Sequence, residues 1–486
     1  MSPTSLTVFL SLLIFYLFFI SSFTYARLDP TPNTERFINS LNLFPDHDVS
    51  IVNDDSSINN ASRLVEKRFK FPSLPNSKPS IEDLGHCADY YRLPHTIGAR
   101  MFYFFFESRN NETDPVVLWL SGGPGASSNI ALFCENGPFH ITEDSSLVWN
   151  DYGWDKVSNI IYVDQPIGTG FSYSIDDTDI RHNLVDVTND LYNFLQDFFD
   201  KHPKLVQNDF FITGQSFAGH YAPALASRIN QENKANPKIH INLKGIAIGN
   251  GLTNPRLQYE ILPYYARRCK LIEEEDYLHI KNTMLPKCMK ATEDCDMGNE
   301  TDCLIAFDSC DGMFGEILRR TNNINYYDYR KQRNGRMNYD FSHLENFLNN
   351  QLVKDALGVP DIPFVTLSSK VYEAMKGEYM KNYDTGIPAL LADGIKVLLY
   401  VGEFDVICNY VGNLKWVIEM AWHGKEEFLK PQSLVSFSID GIEMGALRSH
   451  GPLSFLEVHG AGHMVPMDQP KTALHMIQRW MHGDLR

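Results

Sequence analysis

The sequence predicts an α/β fold built on a largely parallel central sheet, and three features point to it. Six short segments are rich in apolar residues, several of them continuous runs rather than alternating ones: 100–106, 116–120, 159–163, 209–213, 242–249 and 396–401. Continuous apolar strands are typical of parallel sheets buried on both faces. Helical patterns between them, such as 184–199 and 217–230, supply the crossovers. The third feature is a tight turn of small residues directly after one of the strands.

That turn lies in residues 209–219, which read DFFITGQSFAG. A strand ending before Gly214 and a helix starting near Phe217 would force a sharp turn at Ser216 and expose its hydroxyl. Gly214 and Ala218 are the small flanking residues that such a nucleophile elbow requires. The pattern Gly-x-Ser-x-Ala lacks the second glycine, and a serine beside glycines at a strand end is more often an ordinary turn. Ser216 therefore needs partners elsewhere in the chain.

Two later segments supply those partners. Asp405 follows the strand at 396–401, and an acid in that place suits the carboxyl end of a parallel strand, although a solvated loop aspartate is the ordinary alternative. His463 lies on a glycine-rich loop after the apolar run at 453–456. The order Ser, Asp, His is that of the α/β-hydrolases. We predict that His463 takes the proton of Ser216 while Asp405 orients the imidazole.

Other chemistry at these loops is disfavoured. His459 and His463 would be poor zinc ligands, because glycines separate them and no glutamate follows His459. No metal and no cofactor are expected. The oxyanion hole is predicted from the amide of Phe217 and an amide of the glycine-rich loop 118–128, assigned to Gly123. That loop lacks the Gly-Lys-Ser/Thr ending of a nucleotide-binding P-loop.

Composition and the N-terminal region limit where the protein works. A net charge of −17 and the absence of a long Lys/Arg cluster exclude a nucleic-acid binder. Residues 1–26 read as a signal peptide, since the apolar run at 7–20 is short for a membrane anchor and lacks a basic flank. No later segment is apolar enough to cross a bilayer, so no membrane contact is expected after signal removal. Residues 27–79, rich in Asn, Ser, Pro and Asp, are expected to be a propeptide or a disordered leader preceding a domain at 80–486.

Covalent features agree with the secretory pathway. Triplets for N-glycosylation begin at Asn60, Asn111 and Asn299. Four of the eight cysteines lie between positions 288 and 310, within a stretch at about 255–385 that interrupts the strand rhythm and is expected to form a cap. Their spacing suggests nested bridges, although sequence alone leaves the connectivity open: Cys288 with Cys310 and Cys295 with Cys303. A zinc cluster would need a Cys-x-x-Cys pair, which is missing.

From about residue 81 to the C-terminus the chain resembles the plant serine carboxypeptidases. The motifs that carry the resemblance are residues 119–128, 135–139, 149–150, 153–154 and 162–173, the elbow, and the segments around Asp405 and His463. The resemblance implies an α/β-hydrolase fold with an inserted, disulfide-stapled cap. It also implies release of C-terminal residues from peptides at acidic pH, in the vacuole or outside the cell. Cys408 matches a thiol near the catalytic acid that is commonly unpaired. The family resemblance implies nothing about the oligomeric state.

Departures from the family pattern concentrate where the substrate carboxylate is expected. The family usually reads NGGPGCSSE and GESYAG, whereas this chain differs at five places: Ser121, Ala126, Asn129, Gln215 and Phe217. The resemblance implies that the carboxylate site comprises Ser121, Gly122, Asn129 and Gln215. In the family a glutamate pair sharing a proton binds the carboxylate there. Asn129 and Gln215 cannot ionise, so we expect binding with a weaker pH dependence. Two other functions stay open: an acyltransferase that uses sugar esters, and a non-catalytic binding protein.

Overall fold

A computed structural model describes residues 63, 64, 66, 86–143, 147–335 and 337–485. The predicted signal peptide, most of the predicted propeptide and Asn60 lie outside these residues. Within them, no helix combines the length and apolar character needed to cross a membrane.

Ten strands form the central sheet, in the order β1-β2-β6-β3-β7-β8-β11-β14-β13-β12. Six neighbouring strands in the middle of this order are parallel: β6, β3, β7, β8, β11 and β14. Antiparallel strands flank them at both ends of the sheet. This is the mostly parallel sheet that the apolar runs predict. The strands are β1 (His86–Arg92), β2 (Arg100–Phe106), β3 (Val116–Leu120), β4 (Phe139–Ile141), β5 (Leu147–Trp149), β6 (Asn159–Val163), β7 (Phe210–Gln215), β8 (Leu243–Gly249), β9 (Ile324–Asn325), β10 (Asp328–Gln332), β11 (Lys396–Gly402), β12 (Leu434–Ile439), β13 (Ile442–His450) and β14 (Leu453–Val458).

Helices cover both faces of the sheet. The first eight are α1 (Asn129–Cys134), α2 (Leu184–Lys201), α3 (Ala218–Lys234), α4 (Pro255–Arg268), α5 (Glu274–Thr283), α6 (Leu285–Met297), α7 (Glu300–Arg320) and α8 (Ser342–Leu348). The others are α9 (Gln351–Leu357), α10 (Ser369–Ala374), α11 (Ile387–Ala392), α12 (Tyr410–Glu419), α13 (Lys425–Leu429), α14 (Val465–Asp468) and α15 (Pro470–His482).

Alternate side chains of each strand enter different cores, because successive residues point to opposite faces. In β3, Val116 and Leu118 belong to the core that α2 and α3 share with the cap. Val117 and Trp119 belong to the second core, which includes Trp480 of α15. Every residue of β3 is buried, as the continuous apolar run requires.

The segment between β8 and β11 forms the insertion. Its helices α6 and α7 pack side by side and carry two disulfides, Cys288–Cys310 and Cys295–Cys303. The structure thus contains both nested bridges that the spacing suggests. The remaining cysteines form no disulfide within the described part of the chain: Cys87, Cys134, Cys269 and Cys408.

Two glycosylation candidates, Asn111 and Asn299, are exposed. The side chain of Asn299 also caps α7 by accepting hydrogen bonds from the amides of Thr301 and Asp302.

Part of the stretch predicted as a propeptide contacts the sheet. Leu64 forms an antiparallel bridge with Tyr91 of the edge strand β1. The Glu66 carboxylate lies 2.6 Å from Nε2 of His202 and accepts a 3.0 Å hydrogen bond from the hydroxyl of Tyr103. Leu64 therefore lies along the outer edge of β1, and Glu66 contacts β2 and the end of α2.

Candidate active site

The elbow forms at the junction of β7 and α3. The strand continues to Gln215, two residues beyond the predicted end, and the helix begins at Ala218. Ser216 between them has φ 62°, a left-handed conformation that costs a non-glycine residue about 1–3 kcal/mol and is tolerated where the surroundings enforce it. Three backbone hydrogen bonds hold it. Its amide donates to the Gly249 carbonyl at 3.0 Å, and its carbonyl accepts from the amides of Gly219 and Leu252, both at 2.9 Å.

Tight packing explains why a glycine, Gly214, lies two positions before the serine. A Cβ on Gly214 would lie 2.2 Å from the Leu120 carbonyl oxygen and 2.7 Å from the Cβ of Ala218. Both separations are well below van der Waals contact. The alanine that replaces the usual second glycine fits because its single methyl group meets the bare Cα of Gly214.

Asp405 and His463 form a buried hydrogen-bonded pair. The Oδ2 atom of Asp405 lies 2.7 Å from Nδ1 of His463, and the two residues are 0% and 3% exposed. The Oδ1 atom accepts hydrogen bonds from the amides of Ile407 and Cys408 at 3.1 and 3.3 Å. The His463 amide donates to the Tyr327 carbonyl at 2.7 Å. With Nδ1 directed at Asp405, the Nε2 atom is the one available to a nucleophile.

Asn250 is a site residue that sequence reasoning missed. Its Nδ2 donates to Oδ2 of Asp405 at 2.8 Å, and its Oδ1 accepts from the Gly402 amide at 3.0 Å. It directly follows β8, just as Asp405 follows β11 after a short turn. The rule that located Asp405 at a strand's carboxyl end would have selected Asn250 as well.

A cavity of about 200 Å³ brings the predicted residues together. Ser216 and His463 both line it, and the predicted residues Ser121, Gly122, Gly123 and Gln215 line it too. Its other walls are mainly aromatic and aliphatic side chains from the insertion. The insertion therefore covers the elbow, as expected of a cap.

The glycine-rich loop lies directly against the elbow. A Cβ on Gly122 would be 2.5 Å from the Phe217 amide nitrogen and 2.7 Å from the Cβ of Ser216. Gly123 has φ 103°, a value that favours glycine. Within the described ranges, the amides of Gly123 and Phe217 have no hydrogen-bond acceptor. Two free amides beside the serine are what an oxyanion hole needs.

The prediction that Asn129 binds the substrate carboxylate is wrong in its placement. The Nδ2 atom of Asn129 donates to Oδ2 of Asp164 at 3.0 Å and to Oγ of Ser127 at 3.1 Å. Asn129 is buried, and the cavity is lined by other residues. Asp164 also accepts hydrogen bonds from Ser127 and from the amide of Phe171 at 2.6 and 2.9 Å. Asn129 therefore serves the Asp164 network that shapes the loop.

Glu135, a residue for which the sequence predicted no role, is the hydrogen-bond partner of Gln215. Its Oε1 accepts a 2.7 Å hydrogen bond from Nε2 of Gln215, and the residue is fully buried. Burial raises the pKa of Glu135 to about 8, against the opposing effect of the Gln215 hydrogen bond. The carboxyl is therefore neutral at acidic and neutral pH. Glu135 belongs to a motif that carried the family resemblance, but no role followed from it because it lies 80 positions from Gln215.

Cys408 is buried beside the Asp405–His463 pair. Burial, and next the charge of Asp405, raise the pKa of its thiol far above the ordinary value. A protonated thiol is a poor nucleophile and a poor metal ligand. Asp405, Cys408 and His463 place ligand atoms within 4.8 Å of one another, but the carboxylate and imidazole already bind each other. The arrangement suits a charge-relay pair better than a metal centre.

Comparisons with known proteins agree with this geometry. The family model for serine carboxypeptidases matches residues 75–483. Serine carboxypeptidase-like 48 of Arabidopsis thaliana is 52% identical over 471 residues, which cover 96% of this chain and 92% of that protein. Serine carboxypeptidase 3 of Oryza sativa subsp. japonica is 52% identical over 457 residues, covering 94% and 90%. The crystal structure of Kex1Δp, a prohormone-processing carboxypeptidase from Saccharomyces cerevisiae, superposes with a TM-score of 0.73 at 25% identity, covering 82% of this chain and 91% of that one.

Proposed function

The chain belongs to the serine carboxypeptidase family and is a serine-type hydrolase, and we propose that it releases single residues from the carboxyl ends of peptides through an acyl-enzyme on Ser216. The observation that carries the proposal is the shared cavity. The elbow serine, the imidazole of the Asp405–His463 pair and Gln215 all line it. The names of the relatives favour peptidases over the acyltransferase alternative.

In the proposed mechanism, Nε2 of His463 accepts the Ser216 proton as Oγ attacks the carbonyl carbon of the last peptide bond. The amides of Gly123 and Phe217 hold the oxyanion. His463 then gives the proton to the leaving amine, and the terminal residue departs. Water, deprotonated by the same imidazole, hydrolyses the acyl-enzyme. The Asp405 carboxylate stabilises the imidazolium that forms in each step.

The substrate carboxylate is proposed to bind at Ser121, Gly122 and Gln215, with Glu135 behind them. A neutral Glu135 carries an O–H donor, whereas its ionised form only accepts. The Oε1 atom of Gln215 is buried without a partner among the described residues, so it is available to that O–H. Rotating the amide to accept this bond turns the Nε2 donors of Gln215 toward the cavity. Glu135 thus prepares the site for an anion while it remains protonated.

This arrangement refines the expected pH dependence. A proton on Glu135 persists up to about pH 8. Above that value the new negative charge repels the substrate carboxylate and draws Nε2 of Gln215 back to Glu135. We expect KM for peptides to stay flat from acidic to neutral pH and to rise near pH 8. The pH profile of kcat/KM on a blocked dipeptide, compared with its carboxyl-terminal amide, measures this effect.

The decisive experiment compares the wild-type enzyme with Ser216→Ala. Both are incubated with a panel of blocked peptides and with a glucose ester plus an acceptor alcohol. We expect the wild type to release C-terminal amino acids and the variant to release none, while both show the same thermal unfolding. Acyl transfer to the alcohol without peptide cleavage would replace the proposal with the acyltransferase function.

We further propose that the protein enters the secretory pathway and works in the vacuole or outside the cell. The N-terminal apolar run and the exposed glycosylation candidates Asn111 and Asn299 support this. Expression in plant cells, followed by endoglycosidase digestion, should lower the apparent mass. Accumulation of unglycosylated protein in the cytosol would contradict it.

A further inference from the structure

Helix α7 presents an aromatic stripe with one carboxylate in it toward the active-site cavity. Phe307, Asp311 and Phe314 follow each other at spacings of four and three, so they share one helix face. The ring of Phe307 lies 5.1 Å from that of Tyr379, and the ring of Phe314 lies 5.5 Å from that of Tyr326. Asp311, between the two, lines the same cavity as Ser216. Asp311 and Phe314 therefore form part of a wall of that cavity, and Phe307 packs behind it against Tyr379.

The carboxylate of Asp311 is unpaired. In the described ranges, no ion pair or hydrogen bond reaches it, and the nearby Lys376 is paired with Glu373 at 2.6 Å. Among the described residues that line the cavity, Asp311 is the one carboxylate, and none is Lys or Arg. Asp311 is exposed to solvent, so it lies where the cavity opens. A lone negative charge in the wall of a substrate site attracts a cationic group.

The surroundings of Asp311 suit an organic cation. Tyr326, Tyr372 and Phe314 line the cavity with it. Aromatic faces attract ammonium and guanidinium groups, and their apolar rings pack against the methylene stem that carries such a group. A carboxylate within an aromatic wall matches the two chemical parts of a Lys or Arg side chain.

The neighbouring disulfide fixes the position of Asp311. Cys310, the preceding residue, is fully buried and bonded to Cys288 of the adjacent helix α6. The backbone that carries the carboxylate is therefore cross-linked on a rigid helix pair. Selectivity for one charged group requires this kind of fixed support.

Ring contacts connect the surroundings of Asp311 to the elbow. The ring of Tyr372 lies 6.3 Å from that of Tyr379, which lies 5.7 Å from the ring of Phe217. The ring of Tyr326 lies 4.5 Å from that of Tyr327, which lies 4.4 Å from the imidazole of His463. In the proposed function the leaving residue directs its carboxylate to Gln215, so we assign the region near Asp311 to the residue on the acyl side of the scissile bond.

We propose that Asp311 selects peptides whose penultimate residue is Lys or Arg, by pairing its carboxylate with the cationic side chain. The inference rests on the proposed carboxypeptidase activity and names a substrate preference for it. Asp311 is a specificity residue and takes no part in bond making or breaking.

The test uses blocked dipeptides that end in leucine and carry either lysine or norleucine in the penultimate position. Norleucine has the same unbranched stem without the charge. In the wild type we expect the lysine substrate to have the higher kcat/KM. In Asp311→Asn the lysine-to-norleucine ratio should fall about twofold to fivefold, with the norleucine value almost unchanged. The matched control is Asp308→Asn, which removes an exposed charge from the same helix outside the cavity.

Several outcomes decide the proposal. An unchanged ratio in Asp311→Asn, or an equal fall in Asp308→Asn, would overturn it. A second substrate pair, with lysine or norleucine as the released residue, checks the placement, and a fall confined to that pair would overturn the assignment to the acyl side. If the wild type cleaves neither norleucine dipeptide, the proposed function itself fails. Cleavage of both with an unchanged ratio leaves that function standing and refutes only the role of Asp311.

Discussion

Replacing Glu135 with Gln should remove one large contribution to the pH dependence of the protein's stability. In the folded protein, burial raises the pKa of this carboxyl from the ordinary 4.5 to about 8. Between these values the unfolded chain has lost the proton that the folded chain retains. Unfolding therefore releases a proton, and stability falls as pH rises through this window. Gln mimics the neutral carboxyl in size and hydrogen-bonding capacity but cannot ionise.

The size of the effect follows from proton linkage. Each pH unit inside the window costs about 1.4 kcal/mol of unfolding free energy, because one proton is released. From about pH 5 to about pH 8 the wild type should lose about 4 kcal/mol through this single group. The stabilising proton is fully present below pH 4.5, and its contribution is gone once pH exceeds about 8. In Glu135→Gln this part of the loss disappears.

Reversible urea unfolding at a series of pH values measures the effect. The quantity of interest is the difference in unfolding free energy between wild type and Glu135→Gln, which should change by about 4 kcal/mol across the window. Glu275→Gln, an exposed position on α5, serves as the control, and its difference should stay constant. Parallel pH curves for wild type and Glu135→Gln would refute the reasoning, because Glu135 would then ionise equally in both states.

Two further predictions concern the elbow and the catalytic pair. Gly214→Val should destabilise the fold by about 3 kcal/mol or more in urea unfolding, because its Cβ would meet the Leu120 carbonyl oxygen at 2.2 Å; an unchanged midpoint would contradict the packing. Asn250→Ala should lower kcat about tenfold with KM almost unchanged, because it removes one hydrogen bond that orients Asp405. A tenfold rise in KM with kcat unchanged would assign Asn250 to substrate binding instead.

The buried strands could be predicted from the sequence because their physics is local. β3, β6 and β11 are continuous apolar runs, and each lies within one residue of its predicted range. The antiparallel strands β1 and β12 were missed because each mixes polar with apolar residues and lies at an edge of the sheet. A mixed pattern of that kind resembles a loop until its neighbours are known.

Long-range contacts explain what the sequence could not predict at the site. Ser216, Asp405 and His463 follow recognisable local patterns, and the fold brings Asp405 and His463 to hydrogen-bonding distance. Glu135 lies at the end of the short helix α1, where no local pattern marks it. The role proposed for it depends on one hydrogen bond with Gln215 of β7, 80 positions away. The sequence predicts Asn129 instead of Glu135, because the position of a residue in a motif does not reveal its burial or its contacts in the fold.

Arg63 and Leu64 protect part of the edge of the central sheet. The carbonyl of Arg63 accepts a 3.0 Å hydrogen bond from the amide of Arg92 in β1, and Leu64 forms a bridge with Tyr91 of the same strand. The Leu64 carbonyl also accepts a 3.1 Å hydrogen bond from Nζ of Lys201, which ties the segment to α2. The Arg63 contact occupies a backbone group that an exposed edge strand would offer to a second molecule. A cut between this segment and β1 would leave it attached only by these contacts, and its loss would open that part of β1 to pairing with another chain.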